Sequence, residues 1–240
     1  MKKVIVIPAR LDSSRLPKKV LLDLKGKTVI QRVYEQCLKV SNIDAVYIAT
    51  DSLEIKDICD TFTSNVMLTK STHQSGTDRI GEVMAFIDCD IVINVQGDEP
   101  FIDSSSLNKL VFELNNSDHV SLMINISDIN EINDPNNVKV IVDSENYALY
   151  FSRSVIPFCR DVNTAEVTYY KHIGVYGFTK QALVNFSKLP PSKLELVEKI
   201  EAIRIVENGS RIKMIETDFL GVGIDTKEDL DLAISIWSKK

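Results

Sequence analysis

The sequence predicts an α/β protein, with parallel strands and helices in its first half and a mixed, partly antiparallel arrangement in its second. Three observations carry this. Val4, Ile5, Val6 and Ile7 are an unbroken β-branched run, the pattern of a central strand covered on both faces. Strand-like and helix-like periods then alternate as β-α-β-α-β, with crossovers long enough for helices, which implies parallel strands and a right-handed wind. Beyond about residue 115 the apolar positions instead alternate in segments joined by a hairpin-like turn.

Each element has its own justification. Pro8 is expected to end the first strand, because proline cannot donate to a sheet ladder. Gly26 and Lys27 turn the chain into a helix whose apolar stripe is Ile30, Val33, Tyr34, Cys37 and Leu38. A strand at Ala45–Ala49 precedes Ser52, the cap of a helix marked by Ile55, Ile58, Cys59 and Phe62. Val66–Leu68 is a short strand, and the polar loop Thr69–Arg79 leads into a helix through Ile80, Val83, Met84 and Ile87. A strongly apolar strand then runs from Asp90 into Gly97-Asp98-Glu99-Pro100, and a helix follows at about Ser104–Leu114. Val120, Leu122, Ile124 and Ile126 read as a strand with one exposed face. Val138–Val142 and Tyr147–Phe151 flank the turn Asp143–Asn146, and Tyr170–Phe178 is a further strand. One helix over Leu194–Val206, a strand at Arg211–Ile215 and a helix through Leu230, Ala233, Ile234 and Trp237 close the chain. No linker separates the halves, so residues 1–240 are expected to be one domain, with a smaller lobe at about 130–205.

The charge is unevenly placed. Residues 1–19 carry six basic side chains and one acidic, whereas the remaining 221 carry 22 basic and 33 acidic. Arg10, Arg15, Lys18 and Lys19 follow the first strand, where open α/β sheets bind ligands, and they suit a phosphate-bearing one. The overall charge of −6 argues against a general nucleic-acid binder. No apolar run approaches a membrane span, and no signal peptide is read, so a cytoplasmic protein without membrane insertion is expected. Cys37, Cys59, Cys89 and Cys159 form no CxxC and are expected to be free thiols.

Two stretches point to chemistry. Asp98, directly after a buried strand, is a candidate Mg²⁺ ligand, since such sites take one or two carboxylates plus phosphate oxygens. Gly97–Pro100 is equally good turn chemistry. Ser75-Gly76-Thr77 before a helix lets backbone N–H groups approach a ligand, but it is also a plain N-cap. Glu195, Glu198 and Glu201 share a helix face and are expected to include solvated residues. Asp225 precedes a helix cap at Thr226 and, taken alone, reads as part of that cap.

Together, Ile7-Pro-Ala-Arg10, Ser14-Arg-Leu-Pro-x-Lys19, Ser75-Gly-Thr-Asp-Arg79, Asn94–Pro100, Tyr147–Arg153, His172–Tyr176 and Gly223–Thr226 closely resemble the CMP-Kdo synthetases, the 3-deoxy-manno-octulosonate cytidylyltransferases of lipopolysaccharide synthesis. The resemblance runs from residue 4 to about 237. It implies a Rossmann-like nucleotidyltransferase fold with a mixed central sheet, and a homodimer formed through the antiparallel lobe. It implies Mg²⁺-dependent transfer of CMP from CTP to a keto-sugar acid of the Kdo type, with release of pyrophosphate. Arg10, Arg15 and Lys19 would bind the triphosphate, and Ser14 would be a further nucleotide-binding residue. Pro8, Ala9, Ser75, Gly76, Arg79 and Gln96 would lie near the cytidine. Asp98 and Asp225 would hold the metal, and Arg10, Arg15, Lys19 and Asp98 would carry catalysis. Arg160, His172, Tyr176 and Glu198 would contact the sugar acid.

Two departures stand out. Lys18 occupies a position where the family usually has glycine; it is expected to be tolerated there and to add charge near the phosphates. The stretch from Arg160 to His172 is shorter than in many members, and Ser154–Asp161 with Tyr170–His172 resembles those that activate an 8-amino version of the sugar. The sugar thus stays open between Kdo, 8-amino-Kdo and another keto-sugar acid. A catalytically silent nucleotide-binding protein on the same fold is the alternative from another class.

Overall fold

The structure, a computed structural model, describes residues 1–13, 15–73, 75–160, 167–218 and 222–238. It folds as two compact units, Met1–Asn108 with Leu220–Lys240, and Lys109–Phe219. The lobe expected at about 130–205 falls within the second.

In the first unit strands and helices alternate: β1 (Lys3–Ala9), α1 (Val29–Cys37), β2 (Ala45–Thr50), α2 (Leu53–Cys59), β3 (Val66–Leu68), α3 (Gly76–Val83) and β4 (Ile91–Asn94); α4 (Ser104–Glu113) begins in this unit and ends in the second. β1 lies between β2 and β4 and β2 between β1 and β3, every pair parallel. The β-branched run is central as expected, with Ile5, Val6 and Ile7 fully buried. Removing each such side chain from water contributes about 1.5–3 kcal/mol.

Pro8 does not end β1. It pairs with Ala49 and the strand continues to Ala9. Pro8 lies on the edge of β1 that faces β4, where pairing ends at Val6 and Asn94, so its missing N–H interrupts no ladder bond.

The second unit contains β5 (His119–Ile126), α5 (Ile129–Asn133), β6 (Lys139–Val142), β7 (Ala148–Ser152), β8 (Tyr169–Thr179), α6 (Lys180–Phe186), α7 (Lys193–Glu198), α8 (Ala202–Glu207) and β9 (Lys213–Glu216). β5 lies between β8, antiparallel, and β9, parallel, and β6 pairs antiparallel with both β7 and β8. β5 is not half exposed: Val120 through Ile124 are all buried. At Gly177 on β8 a Cβ would collide with Leu110 of α4 and with Leu114 just after it, so a side chain there would push both leucines out of place.

The helix expected over Leu194–Val206 is two helices. Lys199 adopts a left-handed conformation (φ 57°) and ends α7, and the chain restarts as α8. Glu195, Glu198 and Glu201 therefore do not share a face. Glu195 is buried against Arg204, with Nε–Oε2 at 2.8 Å and Nη2–Oε1 at 2.5 Å. α9 (Lys227–Trp237) belongs to the first unit, where Trp237 packs on Phe101 and under Arg32. Among the described residues no helix is long and apolar enough to cross a membrane.

Candidate active site

The basic loop after β1 and the acidic turn after β4 meet at one lysine. The Lys19 amine bonds the Asp98 carboxylate and donates to Asp225 Oδ1 at 2.7 Å. Arg15 donates from Nη2 to the other oxygen of Asp225 at 2.8 Å. The backbone holds the two carboxylates together, because the Ile224 N–H donates to the Asp98 carbonyl at 2.9 Å. At Gly223 a Cβ would come within 2.9 Å of the Glu99 carboxylate, so a side chain there would displace the end of Glu99. Asp225 is not the cap of α9. Thr226 is, in a capping box with Asp229, which leaves the Asp225 carboxylate for Lys19 and Arg15.

The electrostatics follow from this geometry. Burial pulls the Lys19 pKa down, but Asp98 and Asp225 outweigh it and hold it above the usual value. Burial pushes Asp225 up, but Lys19 and Arg15 hold it below the usual carboxylate range. Arg10 is exposed and makes no ion pair or hydrogen bond among the described residues. Ser14 lies outside them.

Lys18 has φ 55° and ψ 27°, the left-handed conformation that favours glycine. A non-glycine residue there costs about 1 kcal/mol. Its charge is not free, as both Glu54 oxygens lie 2.8 Å from its amine.

A second cluster gathers beside β1. A Cβ on Gly76 would sit 3.0 Å from Pro8 Cγ and 3.1 Å from Gln96 Oε1, and one on Gly97 would sit 3.1 Å from the Pro8 carbonyl. Ser75 caps α3 by accepting from Asp78 N–H at 3.1 Å. Gln96 donates to Asn94 Oδ1 at 3.1 Å, and Asn94 donates to Thr77 Oγ1 at 3.1 Å, which fixes both amides. Pro8, Gly76 and Gln96 thus meet at one spot, and Ala9 lies against Gly97 next to it. Arg79 is buried beside them, paired with Asp51 at 2.9 Å and bonded to Thr69. Asn94 and Thr77 stand in stretches the sequence marks but carry no assigned role there, and Glu54 stands in none; for Asn94 the available signal is an amide inside an apolar strand.

In the second unit a register shift between Ser121 and Leu122 bulges β8, placing Ser121 opposite Tyr176 and Leu122 opposite Ile173. Ser121 Oγ donates to the Val175 carbonyl at 2.7 Å and sits 2.9 Å from His172 Nε2. With its single proton so used, Ser121 accepts from His172, which assigns the proton to Nε2. His172 is buried between the rings of Phe151 and Tyr176, and burial pulls its pKa down to about 3. The Tyr176 hydroxyl is pushed well above its usual value, by burial first and then by Glu201 and Glu195. Glu198 is set apart from this pair, accepting from Ser152 Oγ at 2.6 Å and Arg153 N–H at 2.9 Å. Arg160 is exposed and makes no hydrogen bond among the described residues.

Among the described residues no three histidine, cysteine, aspartate or glutamate side chains gather into a protein-only metal site. Asp98 and Asp225 converge instead on one ammonium. Two hard oxygen donors around a point already held by positive charge fit a divalent cation that completes its shell with phosphate and water.

A parallel α/β half whose strand ends gather lysine, arginine and paired carboxylates defines a nucleotide-handling protein of the nucleotidyltransferase class. The comparisons narrow this. The family model described as cytidylyltransferase matches residues 4–212, and the chain belongs to the cytidylyltransferase family. A 3-deoxy-manno-octulosonate cytidylyltransferase of Christiangramia forsetii is 50% identical over 240 residues, covering 98% of this chain and 96% of that protein. Another of Flavobacterium johnsoniae is 48% identical over 238 residues, 97% of each. A solved CMP:2-keto-3-deoxy-manno-octonic acid synthetase complexed with CTP is 39% identical with a TM-score of 0.95, covering 100% of this chain and 99% of that one. The expected Rossmann-like α/β fold with a mixed sheet agrees with that structure.

Proposed function

We propose that the chain transfers CMP from CTP to 3-deoxy-manno-octulosonate, releasing pyrophosphate, for lipopolysaccharide synthesis. The observation that carries this reading is the full-length likeness, at 50% identity, to a protein named for that activity. The geometry of the first unit supports it. Arg10, Arg15 and Lys19 supply three cations to a triphosphate, and charge concentrated on non-bridging and leaving oxygens in phosphoryl transfer is what such cations stabilise. Gly76, Pro8, Ala9 and Gln96 offer a close, partly polar surface to the cytosine. The sugar's anomeric hydroxyl oxygen bonds to the α-phosphorus and gives up its proton to solvent, while the bond from the α-phosphorus to the α–β bridging oxygen breaks and pyrophosphate leaves with that oxygen.

Asp98 and Asp225 would hold Mg²⁺. When bound, that ion supplies charge neutralisation at the phosphates and lowers the pKa of a coordinated hydroxyl. Lys19, which holds Asp98 and Asp225 together, would offer its ammonium to the phosphate oxygens. His172 and Tyr176 present a neutral imidazole and a neutral phenol as orienting groups for the sugar acid, with Arg160 as partner of its carboxylate. Exposed Leu194, Leu196 and Val197 on the second unit support a homodimer. The charge pattern and free thiols support a cytoplasmic setting.

The test is pyrophosphate release from CTP and Mg²⁺ with a panel of sugars: Kdo, 8-amino-Kdo and a nonulosonic acid. Release with Kdo above the others is expected. Preference for 8-amino-Kdo would replace the substrate, and no release with any sugar would overturn the enzyme reading.

A further inference from the structure

We infer that Glu54, on α2, is a positioning residue for the phosphate-binding loop, acting through Lys18. This rests on the reading that Lys19 binds the nucleotide's phosphates. Lys18 is held left-handed immediately before Lys19, the first residue of a short 3₁₀ turn, Lys19–Leu21. The Lys18 carbonyl accepts from Leu21 N–H at 2.8 Å, so the turn that carries Lys19 is built on the Lys18 conformation. A lysine resists that conformation, and besides the Leu21 bond only a 3.3 Å bond from its own N–H to the Leu11 carbonyl holds its backbone there. The side-chain hold comes from Glu54, whose two oxygens both lie 2.8 Å from the Lys18 amine. The two adjacent lysines therefore have different tasks. Lys18 is tied to Glu54 at the start of α2, while Lys19 bonds Asp98 and Asp225. A glycine at position 18 would adopt the turn unaided and would need no carboxylate partner. Glu54 thus compensates for a lysine where glycine would suffice.

The experiment is a double-mutant cycle on the full chain, reading the Kd for CTP by calorimetry, which needs no knowledge of the sugar. Glu54→Gln is expected to weaken CTP about threefold to fivefold, the scale of a half-exposed ion pair. The loss should shrink at about 0.5 M salt. In the Lys18→Gly background the Glu54→Gln change should cost nothing. In turnover, the Glu54→Gln change should raise the CTP KM and leave kcat and the sugar KM unmoved. Unchanged CTP binding in Glu54→Gln overturns the inference. So does tighter binding, which would mean that a freed Lys18 meets the phosphates itself. An equal loss in the Lys18→Gly background overturns it too, since Glu54 would then act on something else. Absence of CTP binding by the parent chain would overturn the nucleotide reading as well.

Discussion

Lys19 and Asp225, 206 residues apart in sequence, are joined by a 2.7 Å ion pair that also draws in Asp98. The amine stands where two carboxylates would otherwise face each other. Replacing Lys19 with alanine should therefore have two effects. Turnover of CTP should fall about 10²–10³-fold, the range for loss of one preorganised charge donor. The melting temperature without metal should also drop, because like charges are left unbalanced, and Mg²⁺ should restore it more than it raises the parent's. Thermal melts with and without Mg²⁺ read this, and equal Mg²⁺ responses would count against a cation site between the carboxylates.

Asp98→Asn keeps the size and the backbone bond to Ile224 while removing one negative charge. kcat should fall by orders of magnitude with an unchanged circular dichroism spectrum. Near-normal turnover would rule Asp98 out as a metal ligand.

Gly76 tests the other cluster. A valine there would push into Pro8 and Gln96 and displace the amide that Asn94 fixes. The expected result is a CTP KM raised about tenfold and stability lowered by about 1–3 kcal/mol, the usual cost of overpacking. Steady-state kinetics and urea melts separate the two, and an unchanged KM would remove Gly76 from the nucleotide surface.

What the sequence made legible were the local features. The β-branched run, the stripe of α1 except for its exposed last member Leu38, and the cap at Ser52 lie where the sequence placed them, since each is decided by neighbours in sequence. What it hid were partnerships across the chain. Arg79 reads as a loop cation, but Asp51 and Thr69 bury it. Glu198 reads as one of a row of surface glutamates, but it holds Ser152 and Arg153. The break at Lys199 carries no glycine or proline to announce it. Lys18 was suspect from its residue type alone, yet nothing local pointed to Glu54, 36 residues on.

Arg204 gives a stability prediction away from the nucleotide. Its guanidinium binds both oxygens of Glu195, is buried with it and lies 4.4 Å from the Phe186 ring centroid. Arg204→Met should destabilise the chain by about 3–5 kcal/mol, because Glu195 is left buried without its charge partner. Converting Glu195 as well, to leucine, should recover part of the loss. Urea unfolding of the single and double variants measures it, and a single-variant loss below about 1 kcal/mol would show that the pair is not buried in solution.

His172 predicts a pH dependence. It is neutral in the folded chain, with its pKa pulled down by burial to about 3, and it titrates near 6.5 when unfolded. Between those values the unfolded state binds the extra proton. Its contribution is therefore intact above pH 6.5 and is lost as pH falls toward 3, at up to about 1.4 kcal/mol per pH unit. His172→Gln can keep a donor toward Ser121 but does not titrate. The variant should be less stable than the parent at pH 7.5, where it loses the packing against Phe151 and Tyr176, and the gap should narrow as pH falls from 6.5 to 4.5. Urea melts at steps of pH test this. A gap that stays constant across the window would mean that His172 is solvated enough to accept a proton in the folded state, which would make it a candidate for charged contact with the sugar's carboxylate rather than a neutral orienting group.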